Sequence, residues 1–440
     1  MKILITHVYA NDNKGDAAIL NVLVQELRKV FPQAFINIAT LDNITEASEF
    51  EESKYVNSFM HYFMFSEKSR AIKGLYAFYC MLATILWCVI YTHLHRRADF
   101  LLPRNIKESL NDILTADLVV PIGGGYLRTV KSLEATMNLV MLLHPILLST
   151  LLKKPIVLHS QSIGPFATPF QKRITRFVLN RTQGIIVRED RTLKTLEQIG
   201  VDSHLVIRSV DAGFLFRNEH PRALHDLVPA LPSLKNKTLV GITVRNWMEI
   251  KKQERYEKEV ARFVDTITRD GNTFVLFIPQ VTADLCHDDD REVGKRIYAL
   301  LQNRQHVLNL EEKYNHHEIK ALYASLDYLV GTRFHSVIFS LTENVPALAI
   351  EYEYKTSGIM RDLGLSDWVI KIEDVNANLL IQKFEDLKAR REEYAAILAR
   401  ALPPYITGAQ ETIHYVEGVY NASVGIAAPS PRASHEQVAA

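Results

Sequence analysis

The amino-acid sequence predicts an α/β protein with two parallel-sheet domains. Short β-branched runs alternate with helix-like segments over almost all of the 440 residues, a rhythm typical of parallel strands covered by helices on both faces. The chain is long enough for two domains with buried cores. The rhythm pauses between about Asp211 and Lys237, where Pro221, Pro229 and Pro232 cluster. We therefore place a boundary between two Rossmann-like halves there.

The expected elements follow one another in a regular order. Strands are predicted at Lys2–Thr6, Phe35–Ala39, Leu118–Pro121, Ile156–His159, Gly184–Val187, Leu239–Val244, Thr273–Ile278, Tyr328–Val330 and Ala347–Ile350. Helices are predicted at Asp16–Val30, Pro169–Asn180, Arg191–Ile199, Arg255–Arg269, Asp290–Asn303, His316–Ser325 and Phe334–Glu343. These elements give an N-terminal domain over 1–215 and a C-terminal domain over 236–405. The tail at 421–440, rich in Ala, Ser and Pro, is expected to be disordered.

Composition limits the functional classes. A net charge of +1 gives no reason to expect a nucleic-acid partner, because such proteins usually carry a basic excess. Any anion-binding site must then be local. The cysteines Cys80, Cys88 and Cys286 form neither a disulfide framework nor a C-x-x-C metal pattern. They favour a reducing, cytoplasmic compartment.

One segment is a candidate for membrane contact. Gly74–Thr92 is 19 residues long without a charge, and it lies between Lys73 and the basic run H-L-H-R-R at 93–97. A buried or domain-packing helix is the first interpretation. A membrane-surface helix anchored by the basic flank, with peripheral contact through 74–97 at the inner face of the membrane, is the second. A true span is the third, since the segment is barely long enough to cross a bilayer.

The turn N-D-N-K-G-D at 11–16 follows the first predicted strand. Asp16 can cap the helix through its side-chain oxygen. The same turn leaves backbone N–H groups that can meet an anion or a sugar hydroxyl, which makes Asn13, Gly15 and Asp16 candidate ligands. An ordinary strand-to-helix turn is equally compatible with this pattern.

Two further loops of the N-terminal half carry candidate ligands. Gly123, Gly124 and Gly125 follow a strand and permit close approach of a ligand, although their spacing matches neither a dinucleotide fingerprint nor a P-loop. In H-S-Q-S-I-G-P-F the hydroxyls of Ser160 and Ser162 can hydrogen-bond a polar ligand. This loop lacks the G-x-S-x-G pattern of a hydrolase nucleophile.

Two arginines at strand ends are candidate anion ligands. Arg188 either binds an anion or pairs with Glu189 and Asp190, whereas pairing is favoured for Arg191. Arg245 ends the first strand of the second half, where phosphate ligands often lie.

The segment at 278–291 contains His287 and three consecutive aspartates. Three successive carboxylates in an extended segment cannot all face one ion, so we favour a solvated helix start and expect no metal. His316 and His317 are expected to be a surface pair.

The stretch L-V-G-T-R-F-H-S at 329–336 is the strongest candidate site. Arg333 offers a planar fork for two oxygens of a phosphate or carboxylate. His335 titrates near neutrality and suits general-acid chemistry. Tyr352 and Lys355 follow the next strand and should return to the same sheet edge, where open α/β folds bind ligands. The alternative is that Arg333 pairs with a buried acid and His335 caps its helix.

These motifs, in this order, resemble the polysaccharide pyruvyl transferase family. The most specific element is G-T-R-F-H-S at 331–336, followed by P-A-L-A-I-E-Y-E-Y-K-T-S-G-I-M at 346–360. The N-x-G-D-A-A-I, G-G-G, H-S-Q-S-I-G-P-F and V-R-E-D-R-T elements support it. The likeness runs from about Lys2 to Leu365, and its C-terminal block is most similar to the colanic acid type. Residues 49–110 match no motif of the family.

The resemblance implies a GT-B-like pair of domains with a cleft between them. It implies transfer of pyruvate from phosphoenolpyruvate, a substrate and the only small molecule required, to a sugar of an exopolysaccharide or cell-surface glycan repeat unit, which forms a ketal. His335 is expected to act as general acid and phosphate ligand. Arg333 is expected to bind the anions together with Lys355 and with Arg245 or Arg188. The glycan acceptor, free or lipid-linked, is expected at the Gly15, Gly123–Gly125 and Ser160–Ser162 loops.

Two other functions are compatible with these residues. A GT-B glycosyltransferase would place the same cations on a nucleotide sugar. A non-catalytic scaffold would bind lipid-linked glycans at a membrane through Gly74–Thr92. Phosphate release that depends on acceptor favours pyruvyl transfer, whereas nucleotide-sugar binding favours the first alternative and glycan binding without turnover favours the second.

Overall fold

A computed structural model of the chain describes residues 1–9, 12–41, 50, 52–64, 69–218, 224–229, 234, 236–283 and 288–426. Its strands are β1 Lys2–Val8, β2 Phe35–Thr40, β3 Ser53–Asn57, β4 Leu118–Pro121, β5 Val157–Gln161, β6 Gly184–Val187, β7 Val206–Arg208, β8 Thr238–Thr243, β9 Thr273–Phe277, β10 Thr282–Ala283, β11 Asp288–Asp289, β12 Val307–Asn309, β13 Tyr328–Gly331, β14 Ala347–Glu351 and β15 Val369–Lys371. Its helices are α1 Lys14–Val30, α2 His61–Met64, α3 Arg70–Leu94, α4 Arg104–Thr115, α5 Leu133–Leu151, α6 Pro169–Leu179, α7 Asp190–Ile199, α8 Leu224–Leu227, α9 Ile250–Ile267, α10 Asp290–Leu300, α11 His316–Ala324, α12 Phe334–Thr342, α13 Tyr354–Asp362, α14 Ala377–Ala389 and α15 Arg391–Ser423. Every predicted strand and helix is present, with ends that differ by a few residues.

The chain forms two compact units. The first unit contains Met1–Val8, Val24–Ser209 and the chain from Gln410, and the second contains Tyr9–Leu23 and Val210–Ala409. The predicted ranges 1–215 and 236–405 lack three crossings between the units, which occur after Val8, inside α1 and inside α15. The predicted tail at 421–440 starts too early, because α15 continues to Ser423. Residues 427–440 lie outside the described part of the chain.

The sheet of the first unit is parallel. Four strands lie in the order β3-β2-β1-β4 and three in the order β5-β6-β7. A parallel bridge between Val119 and Ile156 connects β4 to β5, and the Val119 amide donates to the Pro155 carbonyl over 2.9 Å. The four-stranded and three-stranded groups are therefore neighbours, with β4 beside the start of β5. Sequence patterns missed β3 and β7, because both are short and carry polar residues in the manner of edge strands.

The sheet of the second unit has the order β12-β9-β8-β13-β14-β15, with every neighbouring pair parallel. Numbered from β8, this is the order 3-2-1-4-5-6 of a doubly wound Rossmann sheet. The direction of winding reverses between β8 and β13. Ligands of such sheets bind at the carboxyl ends of the two strands that flank this reversal. The predicted α/β class with two parallel, Rossmann-like sheets is confirmed.

Helix α12 places the loop after β13 inside the second unit. Phe334 to Leu341 are all buried, which fits a helix that is apolar all round and enclosed by its neighbours. The first turn of α12 therefore holds its polar residues in the interior.

Among the described residues, two helical segments are long and apolar enough to cross a membrane by length and composition, Ile72–Leu94 and Leu133–Leu151. The first lies in α3, and one of its faces packs inside the first unit through the buried side chains of Cys80, Trp87 and Cys88. The interpretation of Gly74–Thr92 as a buried, domain-packing helix thus applies to one face of α3.

Candidate active site

The candidate site lies at the carboxyl ends of β8, β13 and β14 in the second unit. Thr243 is the last residue of β8, and its hydroxyl oxygen accepts hydrogen bonds from the backbone amides of Thr332 (3.0 Å) and Arg333 (3.2 Å). The same hydroxyl is 2.9 Å from that of Ser336. These bonds fasten the start of α12 to the end of β8. The residues that follow the two strands therefore lie at one edge.

Arg333 is buried and paired with two carboxylates. Its Nε donates to the Asp290 oxygens at 3.0 and 3.1 Å, and its Nη1 donates to Asp288 Oδ2 at 3.1 Å. Asp290 also accepts from the backbone amides of Gln280 and Val281 at 3.0 Å each. Of the two interpretations of Arg333, the structure shows the pairing with a buried acid.

The expectation of a solvated helix start at the aspartate run is wrong. Asp290 is only 2% exposed, because its carboxylate is enclosed with Arg333. His287 lies outside the described residues. Within the described residues there is no cluster of three or more His, Cys, Asp or Glu side chains that could hold a metal ion.

The pKa values follow from this burial. Burial raises the pKa of Asp290, even though the Arg333 charge opposes the shift. Burial of Asp288 also opposes its ionisation, but its hydrogen bonds to Arg333 outweigh that effect and lower its pKa. Arg333 is itself desolvated, yet the Asp290 and Asp288 carboxylates raise its pKa, so it stays a cation.

Arg245 differs from Arg333 in having a donor to spare. Its guanidinium carbon is 4.5 Å from the centroid of the Trp247 ring and 4.1 Å from that of the Tyr352 ring, and the two rings contact each other edge to face. It is 9% exposed and 3.5 Å from Asp288 Oδ2. Its buried Nε has no hydrogen-bond partner among the described residues. Burial and then the neighbouring Arg333 lower the pKa of Arg245, so an anion at this Nε would relieve both effects.

Lys355 extends the same cluster. Its ammonium is 3.2 Å from the Glu353 carboxylate and lies 5.0 Å from the Phe334 ring centroid and 6.0 Å from that of Tyr352. Arg245 and Lys355 therefore both lie near the ring of Tyr352.

His335 is enclosed by groups from distant parts of the sequence. Its Nε2 is 3.8 Å from Oδ1 of the buried Asp211, which also accepts from the Gly213 amide at 2.7 Å. A β-carbon on Gly15 would lie 1.9 Å from Nδ1 of the same ring. The structure thus brings Gly15 to His335, although Gly15 was expected on the acceptor side in the N-terminal domain.

Asp211 was not among the predicted site residues. It follows the V-I-R strand β7, which is too short to be recognised from its pattern. The one sequence feature that could have indicated a site residue is the position of Asp211 between apolar neighbours in V-D-A-G.

The polar groups of the turn around Gly15 form hydrogen bonds within the turn. Asn13 donates through Nδ2 to Asp16 at 2.8 Å and accepts from the Gly15 amide at 3.1 Å. The Lys14 amide donates to the Gln280 carbonyl at 3.1 Å. These bonds fit an ordinary strand-to-helix turn, and they attach the turn to the segment that leads to Asp288.

Other predicted residues lie in the first unit. Arg188 is buried there and donates through Nε to Ser162 Oγ at 2.7 Å. The Ser160 side chain is fully buried, and a β-carbon on Gly123 would lie 2.5 Å from the Ser160 carbonyl oxygen. Gly123 is therefore required for close packing. These residues support each other within the first unit and belong to a different unit from Arg333.

The remaining two glycines of the triplet differ from the first. A β-carbon on Gly124 would meet the Tyr126 ring at 2.9 Å, whereas nothing lies within 4 Å of that position on Gly125. Gly125 is the member of the triplet that leaves space for a ligand.

The prediction of a surface histidine pair is also wrong. His316 is buried against His317 and Phe216, with ring centroids 4.4 and 5.3 Å away. Burial lowers the pKa of His316 to about 3, so it is neutral in the folded protein.

Two Rossmann-like units with buried charged groups at a strand-order reversal define a GT-B-like α/β protein. The fold is similar to that of a protein from Listeria monocytogenes described as a UDP-N-acetylglucosamine 2-epimerase, with a TM-score of 0.58, 13% identity, and coverage of 97% of this chain and 98% of that one. It is also similar to a glycosyltransferase from Rickettsia africae, with a TM-score of 0.54, 11% identity, and coverage of 96% and 98%. At such low identities the likeness concerns the fold alone.

The sequence profile described as polysaccharide pyruvyl transferase matches residues 13–354, and the chain belongs to this family. The amylovoran biosynthesis protein AmsJ of Erwinia amylovora is 26% identical over 419 residues, which cover 91% of this chain and 95% of AmsJ.

Proposed function

We propose that this protein transfers pyruvate from phosphoenolpyruvate to a sugar of an exopolysaccharide or cell-surface glycan repeat unit, with formation of a pyruvate ketal. Membership of the polysaccharide pyruvyl transferase family and the likeness to a protein of amylovoran biosynthesis support this proposal. The structural observation that carries it is the buried His335 beside Asp211, at the same sheet edge as Arg245, whose Nε has no hydrogen-bond partner among the described residues.

The cations of the cluster match the two anionic groups of the donor. Phosphoenolpyruvate carries a phosphate and a carboxylate, and each needs a cationic partner when it leaves water. Arg245 and Lys355 supply two such charges near Tyr352. Arg333 is paired with Asp288 and Asp290, so we assign it a structural role in which it holds these two carboxylates in place.

His335 is the group we assign to proton transfer. Protonation of the methylene carbon of phosphoenolpyruvate turns it into a methyl group and makes C2 electrophilic. A sugar hydroxyl then forms a bond to C2, and its proton restores the imidazolium. Cleavage of the bond between C2 and the phosphate oxygen releases phosphate. A second hydroxyl closes the ketal, and its proton leaves with phosphate. Asp211 positions the imidazole throughout.

The test is acceptor-dependent turnover by the full chain. Phosphoenolpyruvate and candidate repeat-unit glycans are incubated with the protein, and phosphate release and the mass increase of the glycan are measured. His335→Ala should lower turnover by about 10²–10⁴-fold, the usual contribution of a general acid. The control is His414→Ala, which alters an exposed histidine of α15.

Near-normal turnover by His335→Ala would remove His335 from the proton-transfer role. Turnover of a nucleotide sugar in place of phosphoenolpyruvate would show a glycosyltransferase and overturn the proposal as a whole.

A further inference from the structure

Helix α3 exposes an apolar face to solvent. The side chains on this face are between 40% and 72% exposed: Ile72, Leu75, Phe78, Leu82, Leu86 and Val89. Their spacing of three and four residues places them along one side of the helix. The opposite side is buried in the first unit. An apolar stripe of this length on a surface marks an interaction site.

Neighbouring elements enlarge this face. Phe100 is 87% exposed, and the Tyr79 hydroxyl donates to the Leu101 carbonyl at 2.7 Å, which fastens the turn with Phe100 to α3. Met137 of α5 is exposed, and its methyl group is 3.6 Å from the position of a β-carbon on Gly74. The patch is therefore continuous across α3, the following turn and the start of α5. We call it the α3 face.

Basic side chains predominate beside the α3 face, and the Asp99 carboxylate in the following turn is already paired with Arg97 and Lys107. No Asp or Glu lies between Lys73 and Ala98, and the helix ends in exposed His93, His95, Arg96 and Arg97. Apolar and aromatic side chains beside a basic cluster are the composition of helices that lie in the interface of anionic membranes. A second copy that docked through the same face would bring the same predominantly basic residues, with no excess of acidic groups for Arg96 and Arg97.

Polar contacts keep α3 attached to its unit. Trp87 Nε1 donates to Asp99 at 2.9 Å, and the Thr84 hydroxyl is 2.9 Å from His144 Nε2 in α5. A transmembrane orientation of α3 would break both contacts in a medium that supplies no replacement partners.

We propose that the α3 face of the first unit lies on the surface of an anionic lipid bilayer, with α3 parallel to the membrane plane. The apolar side chains enter the boundary between headgroups and acyl chains, while Arg96 and Arg97 contact lipid phosphates. This proposal is independent of the reaction at His335.

Flotation of the full chain with lipid vesicles tests the proposal. The protein should bind phosphatidylcholine vesicles that contain phosphatidylglycerol and bind pure phosphatidylcholine more weakly. Arg96→Gln with Arg97→Gln should lower affinity for the anionic vesicles by about fivefold for each arginine. Leu75→Glu with Leu82→Glu should abolish flotation. The matched control, Phe170→Glu with Leu300→Glu, changes two exposed apolar residues elsewhere and should float like the unaltered protein.

Far-UV circular dichroism and thermal unfolding verify that each variant is folded, which is expected because the altered side chains are exposed. Flotation of Leu75→Glu with Leu82→Glu at the level of the control would overturn the proposal. A lipid-free dimer of the unaltered protein that this variant dissociates would assign the α3 face to self-association and would also overturn it.

Discussion

The imidazole of His335 lies so close to the backbone of Gly15 that a β-carbon there would be 1.9 Å from Nδ1. The requirement for glycine at this position is thus one of space, set by the histidine ring. The turn that follows the first strand packs against His335. We therefore expect substitutions of Gly15 to impair the function of His335.

Gly15→Ala should lower acceptor-dependent turnover by at least about 100-fold, because the ring must leave its position and misplaced catalytic groups lose this much rate. The control is Gly408→Ala, since nothing lies within 4 Å of a β-carbon there. Steady-state kinetics with phosphoenolpyruvate compare the two. Equal activity of both alanine variants would show that the position of the ring does not matter.

Asp211→Asn should reduce kcat while leaving KM for phosphoenolpyruvate nearly unchanged, because the buried carboxylate lies beside His335 and we assign it no substrate contact. We expect a loss of about 10–100-fold, within the usual contribution of a group that acts through a general acid. A merely structural role would lower thermal stability and both kinetic constants together. Asp211→Glu, which keeps the charge, should recover part of kcat.

Arg245→Lys should raise KM for phosphoenolpyruvate by about 10-fold or more, because lysine lacks the planar fork and the contacts that the guanidinium makes with the Trp247 and Tyr352 rings. Arg262→Lys, in an exposed pair with Glu259, serves as control. An unchanged KM in Arg245→Lys would place the anion elsewhere in the cluster.

Asp290→Ala should destabilise the second unit by about 3–5 kcal/mol, because it leaves a buried arginine without one of its two carboxylates. The change also removes the acceptor of the Gln280 and Val281 amides. Urea unfolding gives the free energy. Asp367→Ala, which removes a solvent-exposed partner of Arg390, should have little effect.

Stability should fall as the solution is acidified below about pH 6.5. Burial lowers the pKa of His144 to about 3 and that of His7 to about 4. The folded protein keeps both neutral, whereas the unfolded chain binds protons below about pH 6.5, so acid favours unfolding by roughly 1.4 kcal/mol per pH unit and histidine.

His144→Gln removes one of these groups and should reduce the pH dependence of the unfolding free energy by that amount. His414→Gln, at an exposed position, should leave the dependence unchanged. Parallel curves for the unaltered protein and His144→Gln would contradict the assignment.

The sequence predicts the strand and helix order well, because buried parallel strands such as β13 and β14 are short apolar runs that few other structures share. It also indicates the correct sheet edge, since residues after parallel strands must meet there. It does not predict the pairing of Arg333, whose carboxylate partners lie in a segment that looks like a solvated helix start. Nor does it predict that Gly15 belongs to the second unit, because that depends on hydrogen bonds with residues near Gln280.

The crossing of Tyr9–Leu23 into the second unit bears on synthesis of the chain. The Asp12 and Thr282 side chains, 270 residues apart, are joined by a hydrogen bond of 3.4 Å. Because ribosomes add about 5–20 residues per second, the turn with Gly15 emerges well before its partners exist. The residues that it contacts in the second unit are made late in translation, and a polypeptide that ends before α12 lacks His335. Turnover therefore requires synthesis of the second unit, and chains that end before α12 should be inactive.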